Sequence, residues 1–151
     1  MSNLRNKVAV VFAASGAIAG AVARALAQQH AKVYASARNF IEVEHLANEI
    51  KKEGGIAEAS EVDAMDEDGI NSYLKKIIAK EGRIDVVFNG IGVRPNENAY
   101  GSPSVMLSYE HFMEPLRVHV GSQFLTSRVV ARHMMETRTP GTIILLTASL
   151  S

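Results

Sequence analysis

Residues 10–26 read VVFAASGAIAGAVARAL, and their pattern is the strongest indication of the fold. It opens with the apolar run VVF and continues through the small residues AASG. Ile18, Val22 and Leu26 then follow four residues apart. A short apolar run followed by helical spacing predicts a buried strand, a tight turn and a helix that packs one face against that strand.

The rest of the chain repeats this alternation of strand and helix. Runs rich in Val and Ile predict five strands, at residues 7–14, 32–37, 56–62, 84–88 and 142–147. The helices between them are predicted to end near His30, at Lys52 and at Gly82, and a short helix from Ser108 precedes a long one from Pro115 to Thr137. Proline is tolerated at the start of a helix, so we predict that Pro115 opens the long helix rather than interrupting it. Asn39, with Glu42 three residues later, predicts a capping box for the second helix.

This order of elements predicts the fold class. Strands that alternate with helices require a parallel sheet with right-handed crossovers and helices on both faces. We therefore predict a single α/β domain over residues 1–151, with a doubly wound sheet of about five strands in the order 3-2-1-4-5. Ligands bind such sheets at the carboxyl ends of the strands. Function is accordingly expected at residues 13–19, 36–39, 63, 89–92 and 147–151.

The composition narrows the classes of partner. The 151 residues carry 16 basic and 16 acidic side chains and no cysteine. Because the positive and negative charges are equal in number, the chain has no excess positive charge to attract nucleic acid. No apolar run reaches the length of about 20 residues that spans a membrane. A chain without cysteine forms no disulfide and no thiolate site, and this composition is consistent with a reducing cytoplasm. The histidines form no metal-binding motif. We expect a cytoplasmic protein that binds a small molecule and no metal, nucleic acid or membrane.

The turn FAASGAIAG lacks the glycines that usually allow such a turn to bind a dinucleotide. Those glycines permit the bend, the approach of pyrophosphate and close packing of the helix. Ala13, Ala17 and Ala19 occupy the places of a Gly-x-x-x-Gly-x-Gly pattern. Ser15 and Gly16 still offer N–H groups and a hydroxyl at a helix N-terminus, where the helix dipole favours an anion. Two interpretations stay open: a phosphate-binding turn, or an alanine-rich helix that packs tightly without a ligand.

Four segments, taken in order, resemble the short-chain dehydrogenase/reductase family. They are FAASGAIAG at the first turn, VYASARN at the second strand, VDAMDED after the third and IDVVFNGIGV at the fourth. The resemblance implies a three-layer Rossmann fold, a nicotinamide cofactor and hydride transfer between NADP(H) and a carbonyl or alcohol. It places Ala13, Ser15, Gly16 and Ile18 at the cofactor. A non-catalytic nucleotide-binding or structural remnant of that family is the alternative.

The end of the second strand bears on the choice of cofactor. In the family, an acidic residue at this point binds the ribose hydroxyls of NAD. This chain has Ser36, Ala37 and Arg38 there instead. A guanidinium group suits the 2′-phosphate of NADP, so the resemblance implies NADP rather than NAD. The alternative is that Arg38 is a solvated residue next to the Asn39 cap.

Four further residues match family positions near the cofactor. Asp63 corresponds to an aspartate that faces the adenine, although a carboxylate in this acidic stretch also suits helix capping. Asn89, Gly90 and Gly92 correspond to an Asn-Asn-Ala-Gly segment, with Gly90 in place of the second Asn. In the family this segment brings the backbone of strand four close to the cofactor.

Two residues are candidates for the chemistry itself. His119 stands where the family usually has an asparagine that supports a proton-relay water. Ser149 lies one residue beyond Ala148, which aligns with the family's active-site serine, so Ser149 reaches that place only if the strand carries a bulge. The family's proton donor is a tyrosine with a lysine four residues later, and no tyrosine of this chain has that lysine. We expect residues 1–151 alone to be inactive, as the N-terminal portion of a longer chain.

The last strand and the long helix predict self-association. The run TIILLT forms an apolar edge strand, and exposed edges of this kind invite pairing. The helix adds Val120, Phe124, Val129 and Met134 on or near one face. Such faces are buried against further sequence or another subunit, so we expect a homo-oligomer, either a dimer or a tetramer. Residues 93–107 are expected to border the pocket of a carbonyl or alcohol substrate.

Overall fold

A computed structural model describes residues 3–92 and 102–147. The elements are β1 (Val8–Phe12), α1 (Ala17–Gln28), β2 (Lys32–Ala37), α2 (Phe40–Lys52), β3 (Ile56–Glu61), α3 (Glu67–Glu81), β4 (Val86–Asn89), a 3-10 turn (Ser104–Met106), α4 (Tyr109–Glu136) and β5 (Thr142–Leu145). All five strands are parallel and lie in the order β3-β2-β1-β4-β5. The predicted fold class and strand order are confirmed.

The sheet is covered on both faces. One core contains the buried sides of α1 and α2, and the other contains those of α3 and α4. Every residue of β1 is buried, which explains its continuous apolar run. On α1, the buried positions are taken by small residues: Ala19, Gly20, Ala23 and Ala27. Small side chains at these positions allow the helix to approach the sheet closely.

The strand register aligns the carboxyl ends of four strands. Phe12 pairs with Ser36 on one side and with Asn89 on the other, and Asn89 pairs with Leu145. The strand order reverses at β1, since β2 and β3 lie on one side of it and β4 and β5 on the other. Such a switch point forms a crevice above the strand ends, where doubly wound sheets bind their ligands.

Several predicted element boundaries are also confirmed. The helix α2 ends at Lys52, before Gly54 with φ 87°, and Gly82 ends α3 in the left-handed conformation with φ 77°. The first strand is shorter than predicted because Ala13, with φ 57°, leaves the extended region. Asn39 caps α2, but its side chain accepts from the Ile41 amide at 3.1 Å, and the described residues show no bond between Asn39 and Glu42, so the predicted capping box does not form.

The predicted break at Pro115 is wrong. A single helix of 28 residues, α4, contains Pro115 in its interior. The helix starts earlier because Ser108 caps it, its hydroxyl accepting from the His111 amide at 3.2 Å. Proline removes one backbone hydrogen bond, at a cost of about 3 kcal/mol, and the turns on both sides continue across this local loss.

The apolar face predicted for this helix is only partly correct. Val120 and Phe124 are exposed, whereas Val129 is fully buried in the core beside α3. Val120 and Val129 are nine residues apart, which is about two and a half helical turns, so they lie on opposite sides of α4. Within the described ranges, 3–92 and 102–147, no helix has both the length and the apolar character to cross a membrane.

Candidate functional site

The turn after β1 adopts a glycine-like conformation with alanine in place. Ala13 has φ 57°, in the left-handed region that disfavours a Cβ atom by roughly 1–2 kcal/mol. Two hydrogen bonds hold the turn: the Gly16 amide donates to the Ala13 carbonyl at 2.9 Å, and the Ala14 amide donates to the Ser36 carbonyl at 2.9 Å. The bend therefore forms despite the methyl group, at an energetic cost.

The start of α1 suits an anion. Gly16 is the N-cap, no side chain caps the helix, and the first turn holds no acidic residue. Ser15, Gly16, Ala17 and Ile18 are all exposed. The first N–H groups of a helix have no partner within it, and here they combine with the positive end of the helix dipole. A diphosphate accepts hydrogen bonds from the N–H groups, and its negative charge is favoured by the helix dipole. Helix N-termini of this kind bind phosphate groups for these two reasons.

An open groove runs from this turn between α1 and α2. Its volume is about 490 Å³, and it is lined in part by Ser15, Gly16, Gly20, Arg24, Ile41 and His45. A Cβ atom at Gly20 would lie 3.1 Å from the Ala14 carbonyl oxygen, so the glycine keeps this wall close to the turn. Arg24 donates to Glu49 at 2.6 Å, and this hydrogen bond holds the pKa of the Glu49 carboxyl below its usual range. Ala14 and Ala17 also line this groove.

The side chains after β2 and β3 are exposed. Arg38 directly follows β2, and within the described part of the chain it forms no ion pair. Asp63 lies beyond the end of β3, and its Oδ1 accepts from the Met65 amide at 2.9 Å. Asp66 caps α3 by accepting from the Asp68 amide at 3.1 Å. Asp63 therefore shapes the connection to α3 and still presents a carboxylate to solvent.

Asn89 organises the end of β4. It is fully buried, its Nδ2 donates to Thr126 Oγ1 at 2.9 Å, and its Oδ1 accepts from the Ile91 amide at 2.9 Å. The Gly90 amide reaches the Phe12 carbonyl at 3.3 Å, which keeps this segment beside the turn after β1. A Cβ atom at Gly92 would meet open space, so no close approach requires glycine there.

His119 also lies at this edge of the sheet. Its Nδ1 is 2.9 Å from the Ile91 carbonyl oxygen, and its Nε2 is 3.2 Å from Gln123 Nε2. Gln123 Nε2 also donates to the Leu146 carbonyl, at 2.7 Å. The structure thus brings His119 to the predicted site. Ser149 and most of the predicted substrate loop fall outside the described residues.

Comparison with known proteins identifies the family. Residues 7–151 match the family model described as short chain dehydrogenase. The chain belongs to the short-chain dehydrogenase family. A 7alpha-hydroxysteroid dehydrogenase of Clostridium sardiniense is 34% identical over 141 residues, 89% of this chain and 50% of the relative. The enzyme of the same name from Paraclostridium sordellii is 32% identical over 139 residues, 91% of this chain and 51% of the relative.

Solved structures show the same family fold. A metagenomic short-chain oxidoreductase in complex with NADP has a TM-score of 0.85 at 30% identity, covering 99% of this chain and 65% of that one. A hydroxysteroid dehydrogenase of Escherichia coli has a TM-score of 0.76 at 28% identity, covering 93% of this chain and 55% of that one. The chain spans about half the length of the curated relatives named above.

Two of its departures from the family pattern compensate each other. Ala19 carries a methyl group where the pattern has glycine, and Gly90 has no side chain where the pattern has asparagine. A Cβ atom at Gly90 would lie 2.6 Å from Ala19 Cβ and 2.9 Å from Phe88 Cε1. The Ala19 methyl therefore occupies space that glycine at position 90 leaves available.

Three polar residues on α4 support the site and are not among the site residues predicted from the sequence. They are Ser122, Gln123 and Thr126, and with His119 they recur at helical spacings of three, four and seven. Ser122 and Thr126 are buried; the Ser122 hydroxyl donates to the His119 carbonyl at 3.1 Å. Polar residues on one helical face beside apolar strands are a signal of a buried network, and this spacing contained that signal.

Proposed function

We propose that this chain forms the cofactor-binding part of an NADP-dependent oxidoreductase acting on a carbonyl or alcohol substrate. The observation that carries the proposal is the uncapped start of α1 at the carboxyl ends of the strands, where Ser15 and Gly16 are exposed. The related structure bound to NADP and the two relatives named as hydroxysteroid dehydrogenases support the same reaction class.

Each residue of the site has a role in this proposal. The amides after Ser15 bind the diphosphate, and Ile18 contacts the cofactor from the first turn of α1. Arg38 binds the 2′-phosphate, and Asp63 faces the adenine. Once bound, the nicotinamide ring supplies or accepts hydride. Asn89 and Gly90 hold the backbone of β4 beside the cofactor, since Asn89 is anchored through Thr126.

Residues 1–151 alone are expected to bind the cofactor without reducing a carbonyl. Reduction needs an acid that protonates the carbonyl oxygen as hydride arrives, and the family's tyrosine–lysine pair is absent from this sequence. Ser149 and His119 stay predictions as catalytic residues. The cytoplasmic location predicted from the composition also stays a prediction.

Titration with reduced cofactors tests the proposal through the fluorescence of the nicotinamide. We expect NADPH to bind more tightly than NADH. Arg38→Gln should weaken NADPH binding about tenfold, because a charge-assisted hydrogen bond to the phosphate is lost, and leave NADH binding unchanged. Arg5→Gln, an exposed arginine before β1 at the opposite end of the sheet, is the matched control.

The same titration separates the proposal from the structural form of its alternative, since a non-catalytic remnant that still binds nucleotide would also bind NADPH. Ala13, Ala17 and Ala19 stand in the three glycine places, which favours a structural remnant as the second candidate. A remnant that has lost the site gives no fluorescence change at millimolar NADPH, and that result would rule out a cofactor role for this turn. Equal loss of NADPH and NADH affinity in Arg38→Gln would instead contradict the assignment of the 2′-phosphate.

A further inference from the structure

Two side chains of α4 join the carboxyl ends of β4 and β5. His119 Nδ1 contacts the Ile91 carbonyl at 2.9 Å, just beyond β4. Gln123 Nε2 contacts the Leu146 carbonyl at 2.7 Å, just beyond β5. The two side chains also contact each other, with 3.2 Å between His119 Nε2 and Gln123 Nε2. The result is a continuous chain of hydrogen bonds from one strand end to the other.

The chemistry of these atoms fixes where the hydrogens lie. A backbone carbonyl only accepts, so His119 Nδ1 must carry a hydrogen that it donates to Ile91. The amide nitrogen of Gln123 only donates, so His119 Nε2 must be the bare acceptor. Turning the Gln123 amide around would place its oxygen against the Leu146 carbonyl oxygen, with no hydrogen between them. The network therefore assigns both the amide orientation and the neutral Nδ1–H tautomer.

A second link holds the same face of α4 to β4. Asn89 Nδ2 donates to Thr126 Oγ1 at 2.9 Å, and Thr126 Oγ1 donates to the Ser122 carbonyl at 2.7 Å. The Leu146 amide in turn donates to the Asn89 carbonyl at 3.0 Å. Leu146 is therefore held on both sides: its carbonyl accepts from Gln123, and its amide donates to Asn89 of β4.

We propose that His119 and Gln123 form a positioning pair that fixes the ends of β4 and β5 relative to each other. Both ring nitrogens of His119 have a protein partner, so its role is to hold the Ile91 backbone rather than to carry a proton. The effect of this pair on cofactor binding rests on the proposed function. In the sequence, Gly90 and Gly92 follow β4, and Ser149 follows β5.

The tautomer is tested on the unmodified protein without cofactor. Long-range ¹H–¹⁵N correlation spectra of histidine-labelled protein distinguish the two ring nitrogens of each of the five histidines. His119→Asn identifies the His119 signals by their loss. We expect a protonated Nδ1 and a bare, hydrogen-bonded Nε2 at neutral pH. An Nε2–H tautomer or a doubly protonated ring would overturn the proposal, and the wild-type measurement needs no variant to fold.

Amide hydrogen exchange tests the coupling between the strand ends. Gln123→Met keeps the length of the side chain and removes its hydrogen bonds. Exchange of the Leu146 amide should become about tenfold faster, the scale of one hydrogen bond, while β1 amides keep their protection. Gln28→Met, the same change at an exposed position of α1, should alter neither. Unchanged exchange at Leu146, or equal loss throughout the sheet, would contradict a specific pair.

NADPH titration of Gln123→Met tests the functional part separately. We expect several-fold weaker binding than in the wild type, because the β5 end loses its contact with α4 and His119 loses the partner of its Nε2. If the variant binds as the wild type does while Leu146 exchange rises, the pair has no role in positioning the cofactor site. If the wild type binds no NADPH, the proposed function fails, and the spectra and exchange rates still decide whether the pair exists.

Discussion

The conformation of Ala13 makes the first turn a point of stored strain. Its φ of 57° costs roughly 1–2 kcal/mol for a residue with a Cβ atom. Ala13→Gly should therefore raise the free energy of unfolding by up to about 1 kcal/mol, since the greater entropy of unfolded glycine offsets part of the gain. Urea denaturation measures this. Ala17→Gly, at the first position of α1, is the control and should destabilise; an equal loss in both variants would show that Ala13 is not strained.

Ala19 and Gly90 should behave as a coupled pair. Gly90→Ala places a methyl group 2.6 Å from Ala19 Cβ, and overpacking of this kind costs about 1–3 kcal/mol. Ala19→Gly in the same protein removes the contact with Ala19 Cβ but leaves the contact at 2.9 Å with Phe88 Cε1, so the double variant should recover part of the loss, less the cost of glycine in a helix. A double-mutant cycle of unfolding free energies measures the coupling. Additive effects would contradict the compensation.

At the residue scale, the sequence predicted which positions lie at the site but not how they fit together. The local pattern was sufficient to place Ala13, Gly16 and Asn89 at strand ends. The match between Ala19 and Gly90 depends on the packing of α1 against β4, two elements far apart in the chain. The contact between His119 and Gln123 similarly depends on the strand ends beneath α4, and only the folded structure shows it.

At the scale of elements, Asp85 anchors the start of β4 to β1. It is buried and accepts from the Val8 amide at 2.9 Å, from Lys7 Nζ at 3.0 Å and from Arg83 Nε at 2.9 Å. Burial alone would raise the pKa of Asp85, but the hydrogen bonds from Arg83, Val8 and Lys7 outweigh it and hold the pKa below its usual range. The ionised carboxylate therefore stabilises the folded state.

This anchor predicts a stability that depends on pH. Because the folded state lowers the pKa of Asp85, its contribution is fully present above the unfolded value of about 3.9 and is lost as the pH falls through the lower folded value. Asp85→Asn should cost about 2 kcal/mol at neutral pH and much less in strong acid. Urea denaturation across this range measures the difference. Asp68→Asn, on the exposed side of α3, is the control; parallel pH curves for Asp85→Asn and wild type would contradict the prediction.

The sequence was sufficient to predict the strands and the first three helices, but it was not sufficient to predict α4 correctly. The strands and the first three helices followed from apolar spacing and from Gly54 and Gly82, because these signals act locally. The break predicted at Pro115 was wrong because the effect of a proline depends on where the helix begins. Ser108 caps the helix, so α4 begins before Pro115 and contains it. The mixed surface of α4 weakened its periodic signal, since one side packs on the core and another remains exposed.

At the scale of the whole molecule, α4 presents an apolar stripe to solvent. Phe112, Leu116, Val120 and Phe124 follow one another four residues apart, and each side chain is between 45% and 60% exposed. The edge strand β5 adds Ile144 and Leu145, at 43% and 38%. Four large apolar residues in a row on one helix form a patch of the kind that subunit interfaces bury. We propose that this stripe mediates the predicted homo-oligomer.

Light scattering after size-exclusion chromatography tests this proposal on the wild type and two variants. Val120→Glu places a charge at the centre of the stripe and should raise the dissociation constant of the oligomer about tenfold or more, because a buried unpaired carboxylate is costly. Ile41→Glu makes the same kind of change at a position of α2 that is 76% exposed and lies on the other face of the sheet, and it should leave the oligomer intact. Equal dissociation of both variants would point to a general effect of the added charge. A wild type that stays monomeric at high concentration would show that the stripe does not join copies of residues 1–151.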